Sequence, residues 1–173
     1  MKSLFTPWRY SYLIEEKPPA GECVFCAALV NESDEKSLVV FRGLHNFVIL
    51  NLYPYTNGHV MIVPNAHVDS PSASNPEQRA ELFDLATACE AALRAVYAAE
   101  GVNMGMNLGR AAGAGVASHY HMHVLPRWDG DTNFMAVTAH TRIIPEDLHL
   151  TRERLSKQLH RQLGPDRRAR PDA

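Results

Sequence analysis

Three histidines fall within five residues, His119-Tyr120-His121-Met122-His123, and Val124 and Leu125 follow them. On a β-strand, side chains at i, i+2 and i+4 leave the same face, so this spacing predicts three imidazoles on one side and Met122 and Val124 on the core side. At about 3.4 Å per residue the outer two Cα atoms are about 13 Å apart, too far for all three rings to ligate one ion at Zn–N distances of about 2.1 Å. Separate tasks along one line follow: a nucleophile in the middle, with neighbours that orient it, bind phosphate or serve a separate metal. Neutral imidazole, with an ordinary pKa near ~6.5, is a competent nucleophile at phosphorus. Just upstream, Gly109-Arg110-Ala111-Ala112-Gly113-Ala114-Gly115 holds three Gly and three Ala in seven residues. Such a loop lets backbone N–H groups close on anionic oxygens, and together with the imidazoles it points to phosphoryl or nucleotidyl transfer.

The elements that must position these residues are readable in order. Apolar β-formers at 38–41 and 47–50, with Gly43, His45 and Asn46 between them, predict an antiparallel hairpin. A turn-rich stretch at 53–58 leads to a third strand at 59–64, closed by Pro64. Asn75-Pro76-Glu77-Gln78 combines an N-cap, Pro at the first helical position and a capping-box Gln. Leu82, Leu85, Cys89, Leu93 and Val96 then recur at helical spacing up to Gly101, which places the Cys89 thiol in the core. Strands are expected at 102–108 and 118–125, an extended segment at 134–138, and a helix over about 145–163. The fold class is α+β: a five-stranded antiparallel sheet with one long helix and a C-terminal helix.

Length and composition bound the function. A chain of 173 residues has room for one core, and 46% hydrophobic with 21% charged residues is ordinary for a folded domain. A net charge of −2 argues against nucleic acid as partner, while small anionic ligands remain compatible. Residues 149–173 carry seven basic and three acidic residues, and 164–173 read as a loose, solvated end. No stretch reaches the ~18 apolar residues of a membrane span, and no apolar leader precedes Glu15, so a cytoplasmic protein is expected. Three cysteines, two of them as Cys23-x-x-Cys26, fit a metal or redox pair in a reducing compartment better than a disulfide framework.

The run from His119 to Leu125 resembles the signature of the histidine-triad family of nucleotide hydrolases and transferases. Further similarity lies in Cys23-Val24-Phe25-Cys26, in Asn57-Gly58-His59-Val60-Met61-Ile62-Val63-Pro64-Asn65-Ala66-His67, and in the Gly-rich loop. The flanks, Pro7-Trp8-Arg9 with Tyr12 and the run from Pro126-Arg127-Trp128 to Met135, are similar to the bacterial diadenosine tetraphosphate phosphorylases. On this resemblance residues 23–135 are the family domain, 1–22 an N-terminal extension, 136–163 an added segment and helix, and 164–173 a tail.

The resemblance implies that His121 attacks the α-phosphorus to form a covalent nucleotidyl-histidine, with His119 and His123 orienting it and binding phosphate oxygens. Asn51 would meet the ribose and Asn107 the phosphates, with Gly113, Gly115 and Trp128 also binding nucleotide or phosphate; Asn57 and His59 would support. It also implies a structural Zn²⁺ held by Cys23, Cys26, His67 and His119, and a homodimer paired through the long helix and fourth strand. His45, His140, His149 and His160 are expected at the surface. Hydrolase-type members carry Ala-Gly-Gln before the triad, whereas this chain reads Ala114-Gly115-Val116. That departure, with Asn51 in place of the common Asp, favours phosphorolysis of dinucleoside polyphosphates with inorganic phosphate as acceptor. The alternatives are a purine nucleoside phosphoramidate hydrolase and a weakly catalytic nucleotide-binding regulator.

Overall fold

A computed structural model describes residues 22–131 and 146–167. Its centre is an antiparallel sheet of five strands: β1 (Val39–Arg42), β2 (Asn46–Leu50), β3 (Val60–Pro64), β4 (Gly101–Met106) and β5 (Met122–Arg127), in the order β1-β2-β3-β5-β4. Every residue of β1, β2 and β3 is buried, which explains why these strands read as unbroken apolar runs and not as alternating ones. The helices are α1 (Val24–Val30), α2 (Asp34–Ser37), α3 (Pro76–Tyr97) and α4 (Leu148–Leu163). None is long and apolar enough to cross a membrane.

α3 starts where the capping box places it: Asn75 Oδ1 accepts from Gln78 N at 2.8 Å, and Gln78 Oε1 accepts from Asn75 N at 2.9 Å. Its stripe of Leu82, Leu85, Cys89 and Leu93 is buried, each large aliphatic side chain contributing about 1.5–3 kcal/mol. α4 lies against α3 and β1, and its Leu155 and Leu159 meet Val60, Cys89, Ala92 and Leu93. Apolar burial also pushes the Cys89 thiol up to about 12, so it stays protonated and inert.

Three buried charges organise the rim of the sheet. The Glu81 carboxylate accepts from three consecutive backbone N–H groups of the β1–β2 turn, Leu44 at 2.7 Å, His45 at 2.6 Å and Asn46 at 2.8 Å. Arg42 pairs with Asp34 at 2.7 Å and donates to Leu29 O at 2.7 Å, which ties α1 and α2 to β1. Gly58 is required in the turn before β3: its φ is +77°, and a Cβ there would meet Leu93 and Tyr97 at 2.9 Å.

Several boundaries depart from the sequence expectation. α1 and α2 had no clear periodic signal, because each is a single amphipathic turn or two held by tertiary contacts. The fifth strand begins at Met122, not 118. Tyr120 N donates to Val68 O at 2.9 Å and its hydroxyl pairs with Ser74 Oγ at 2.9 Å, so residues 118–121 are held by the 68–74 loop instead of a strand. Pro126 does not end the strand. β3 pairs with β5 only over 122–124, and beyond that a residue without an N–H is tolerated on the open side. α4 starts at Leu148, where Asp147 caps it by accepting from His149 N and Leu150 N. The expected loose end at 164–173 is pinned as far as Arg167, whose N–H donates to Arg42 O at 2.8 Å. The extended segment at 134–138 lies outside the described residues.

Candidate functional site

The three triad imidazoles cluster at the start of β5. His121 and His123 have ring centroids 4.8 Å apart, and Phe25, on α1, packs its ring 4.9 Å from His121 and 5.5 Å from His119. His59, at the entry to β3, places Nε2 2.9 Å from His123 Nδ1.

Backbone groups fix which nitrogen of each ring carries the proton, because an amide N–H only donates and a carbonyl only accepts. Tyr55 N donates to His59 Nδ1 at 3.1 Å, so neutral His59 carries its proton on Nε2 and donates it to His123 Nδ1. His123 therefore presents Nε2–H. His121 Nδ1 donates to His119 O at 3.1 Å, which leaves the lone pair of His121 on Nε2. His119 Nε2 donates to Pro64 O at 2.9 Å, so its own lone pair sits on Nδ1, beside the thiols. Adjacent histidines of one run thus have opposite tautomers.

Burial keeps these rings uncharged. It pulls His59 down to about 3, helped by His123 and His121, and His123 down to about 4, helped by His121. His121 is likewise lowered by burial, partly offset by its bond to the His119 carbonyl. His121 is therefore neutral at neutral pH, with its lone pair on Nε2.

The second cluster lies on the other side of His119. Cys23 Sγ is 3.3 Å and Cys26 Sγ 3.6 Å from His119 Nδ1, while His67 Nδ1 is 3.2 Å from Cys26 Sγ. All four donor atoms lie within 4.8 Å of one another. Tetrahedral bonds of about 2.3 Å to sulfur and about 2.1 Å to nitrogen separate neighbouring donors by roughly 3.5 Å, so the residues present fit a metal ion.

Other expected contacts are placed less evenly. Asn51 lies beside His59, with Nδ2 3.4 Å from His59 Nδ1 and Oδ1 accepting from Tyr53 N at 3.0 Å. Asn107 follows Met106, which pairs with Met122, and so falls opposite His121 when that register is continued. Gly113, at φ +88°, and Gly115 belong to the exposed loop that joins β4 to the residues before β5. Trp128 does not reach the imidazoles. It lies past the far end of β5, where its Nε1–H donates to Tyr97 O at 3.1 Å. Of the histidines expected at the surface, His149 is exposed and His45 is half-buried. His160 is half-buried against Phe41 and pairs with Asp166, and His140 lies outside the described residues. Phe25 and Tyr55 were not singled out as site residues. Phe25 sits inside the Cys-x-x-Cys repeat, which was its only local signal.

The HIT domain model matches residues 32–130. The chain belongs to the HIT family. Among its relatives is an AP-4-A phosphorylase of Mycobacterium tuberculosis, 36% identical over 94% of this chain and 86% of that one. A Bacillus subtilis protein, Protein hit, is 30% identical over 81% of this chain and 96% of its own. A Zn-bound histidine triad family protein from Mycobacterium smegmatis superposes with a TM-score of 0.66 at 28% identity, covering 81% of this chain and 94% of that one. The α+β fold with its five-stranded sheet is that of the family.

Proposed function

We propose that this HIT-family enzyme cleaves dinucleoside polyphosphates of the diadenosine tetraphosphate type through a nucleotidyl-His121 intermediate, with inorganic phosphate as the favoured acceptor. The observation that carries the reading is the tie from His121 Nδ1 to His119 O, which aims an unprotonated Nε2 into the site. Attack by Nε2 on the α-phosphorus leaves positive charge on the ring, and the carbonyl on Nδ1–H stabilises it. His123 offers Nε2–H as a hydrogen-bond donor to the leaving polyphosphate oxygen, and His59 fixes that orientation. Asn51 meets the ribose, while Asn107 and the amides of Gly113 and Gly115 meet phosphate oxygens. His119 contributes its carbonyl rather than its ring.

Phosphorolysis is favoured over phosphoramidate hydrolysis because Ala114-Gly115-Val116 offers no amide side chain to the bridging oxygen. The similarity to an AP-4-A phosphorylase along nearly the whole chain supports the same choice.

Zinc is the ion that best suits two thiolates and two imidazoles, held by Cys23, Cys26, His67 and His119. When bound it supplies a closed cross-link between α1, the segment after β3 and the segment before β5. Reduced thiols suit a cytoplasmic setting. The exposed edge of β4, with Met104 on it and Leu108 just beyond it each 45% exposed, suits pairing of two copies.

The test is product analysis on diadenosine tetraphosphate. ADP with ATP in the presence of phosphate is expected. AMP with ATP at all phosphate concentrations overturns phosphorolysis in favour of hydrolysis, and turnover by His121→Ala at the wild-type rate overturns the mechanism.

A further inference from the structure

The nucleotidyl-His121 intermediate can be opened by water or by phosphate, and the two acceptors differ in charge. Phosphate arrives as an anion at a site that already holds the phosphates of the substrate. The neighbouring imidazoles provide no compensating charge, since His59 and His123 are neutral at pH 7.

The whole stretch from β4 through the loop to β5, residues 101–127, contains no Asp or Glu and two formal cations, Arg110 and Arg127. Arg127 is committed elsewhere. It lies opposite Gly101, at the end of β5 remote from the imidazoles, and donates to Asp131 Oδ1 at 2.8 Å and to Asn103 Oδ1 at 2.9 Å. Arg110 is exposed, and among the described residues it makes no ion pair. It opens the single helical turn Arg110–Ala112 inside the loop that joins Met106 to the triad. That turn is closed by Gly113 N donating to Arg110 O at 3.0 Å and Ala114 N donating to Gly109 O at 3.2 Å. Glycines with positive φ, Gly109 at +79° and Gly113 at +88°, bracket it. The loop thus carries one exposed guanidinium without an ion pair at the end of the sheet where Met106 pairs with Met122. A guanidinium matches two oxygens of a phosphate at once.

We propose that Arg110 binds the acceptor phosphate and so determines the choice of phosphate over water when nucleotidyl-His121 is opened. The inference rests on the phosphorolysis reading above. An oxygen of the phosphate dianion forms the new P–O bond to the α-phosphorus while the P–Nε2 bond breaks. The bonding pair returns to Nε2 and leaves neutral His121 with its proton on Nδ1. The product is the nucleoside diphosphate, and the acceptor keeps its own proton. Water attacking the same atom must instead shed a proton, and it gains nothing from a cation at the acceptor position.

The experiment reads the ADP to AMP ratio from diadenosine tetraphosphate across a phosphate titration, in wild type, Arg110→Gln and Arg110→Lys. Arg110→Gln is expected to raise the KM for phosphate about tenfold or more and to shift product toward AMP at fixed phosphate. Arg110→Lys should recover most of the wild-type ratio. Added KCl should raise the phosphate KM of wild type and leave that of Arg110→Gln nearly flat, a response that a merely structural role would not produce. An unchanged phosphate KM in a folded Arg110→Gln overturns the role of Arg110 while phosphorolysis stands. Absence of ADP from the wild type at any phosphate concentration overturns the underlying reading and this inference with it.

Discussion

His119 and His121 are two residues apart in one run, are both buried, and are both lowered by burial, yet they face different chemistry. The difference lies in which nitrogen meets a carbonyl. Pro64 O takes the Nε2–H of His119 and turns Nδ1 toward Cys23 and Cys26, whereas His119 O takes the Nδ1–H of His121 and turns Nε2 outward. One residue type is thus turned toward the thiols at His119 and toward the open site at His121 by backbone acceptors, which suits the proposed metal ligand at the first and the proposed nucleophile at the second. The triad therefore spans the join between two clusters, with His119 giving its ring to one and its carbonyl to the other.

Four experiments test that division. His121→Ala should lower turnover by about 10⁴-fold or more while metal content and melting temperature hold, as measured by product release and calorimetry. A comparable loss of metal would mean the two sites are one. On the other side, Cys26→Ser should remove the metal, read by elemental analysis, and lower the melting temperature on the order of 10 °C. Metal retained at wild-type stoichiometry would break the assignment of the cluster.

His59→Ala should reduce kcat about 10- to 100-fold with metal content untouched, because His123 would lose the partner that fixes its tautomer. The smallest effect concerns pH. Folded His59 and His123 stay neutral down to about 3 and about 4, while the unfolded chain takes up these protons near ~6.5. Stability should therefore be level above that value and fall as pH drops toward ~4, by up to about 1.4 kcal/mol per pH unit for each histidine. Denaturant titrations of wild type and His59→Gln at several pH values would check the slope, which should be shallower in the variant.

What could be read from the sequence was what has a local signature. The His run, the Cys-x-x-Cys pair, the capping box at Asn75 and the stripe on α3 each declare themselves within a dozen residues. Glu81 clamping a turn 35 or more residues away, and His59 reaching His123 across 64, leave no such trace. Trp128, close to the triad in sequence, is carried away from the imidazoles of its own chain by β5 at about 3.4 Å per residue. Arg42 and Asp34 were unremarkable as letters, since a buried ion pair is recognised only once both partners have lost their solvent.

The last described residues, Asp166 and Arg167, run back along β1, the terminal strand of the sheet. Asp166 Oδ1 accepts from Arg42 N at 3.0 Å, Arg167 N donates to Arg42 O, and Arg152 Nε from α4 donates to Val39 O at 2.7 Å. A strand reading Val-Val-Phe at a sheet margin is an open template on which another chain can add itself. The C-terminal segment shields that margin, so a chain cut before Gly164 should keep its chemistry and lose its solubility, accumulating as β-rich aggregates.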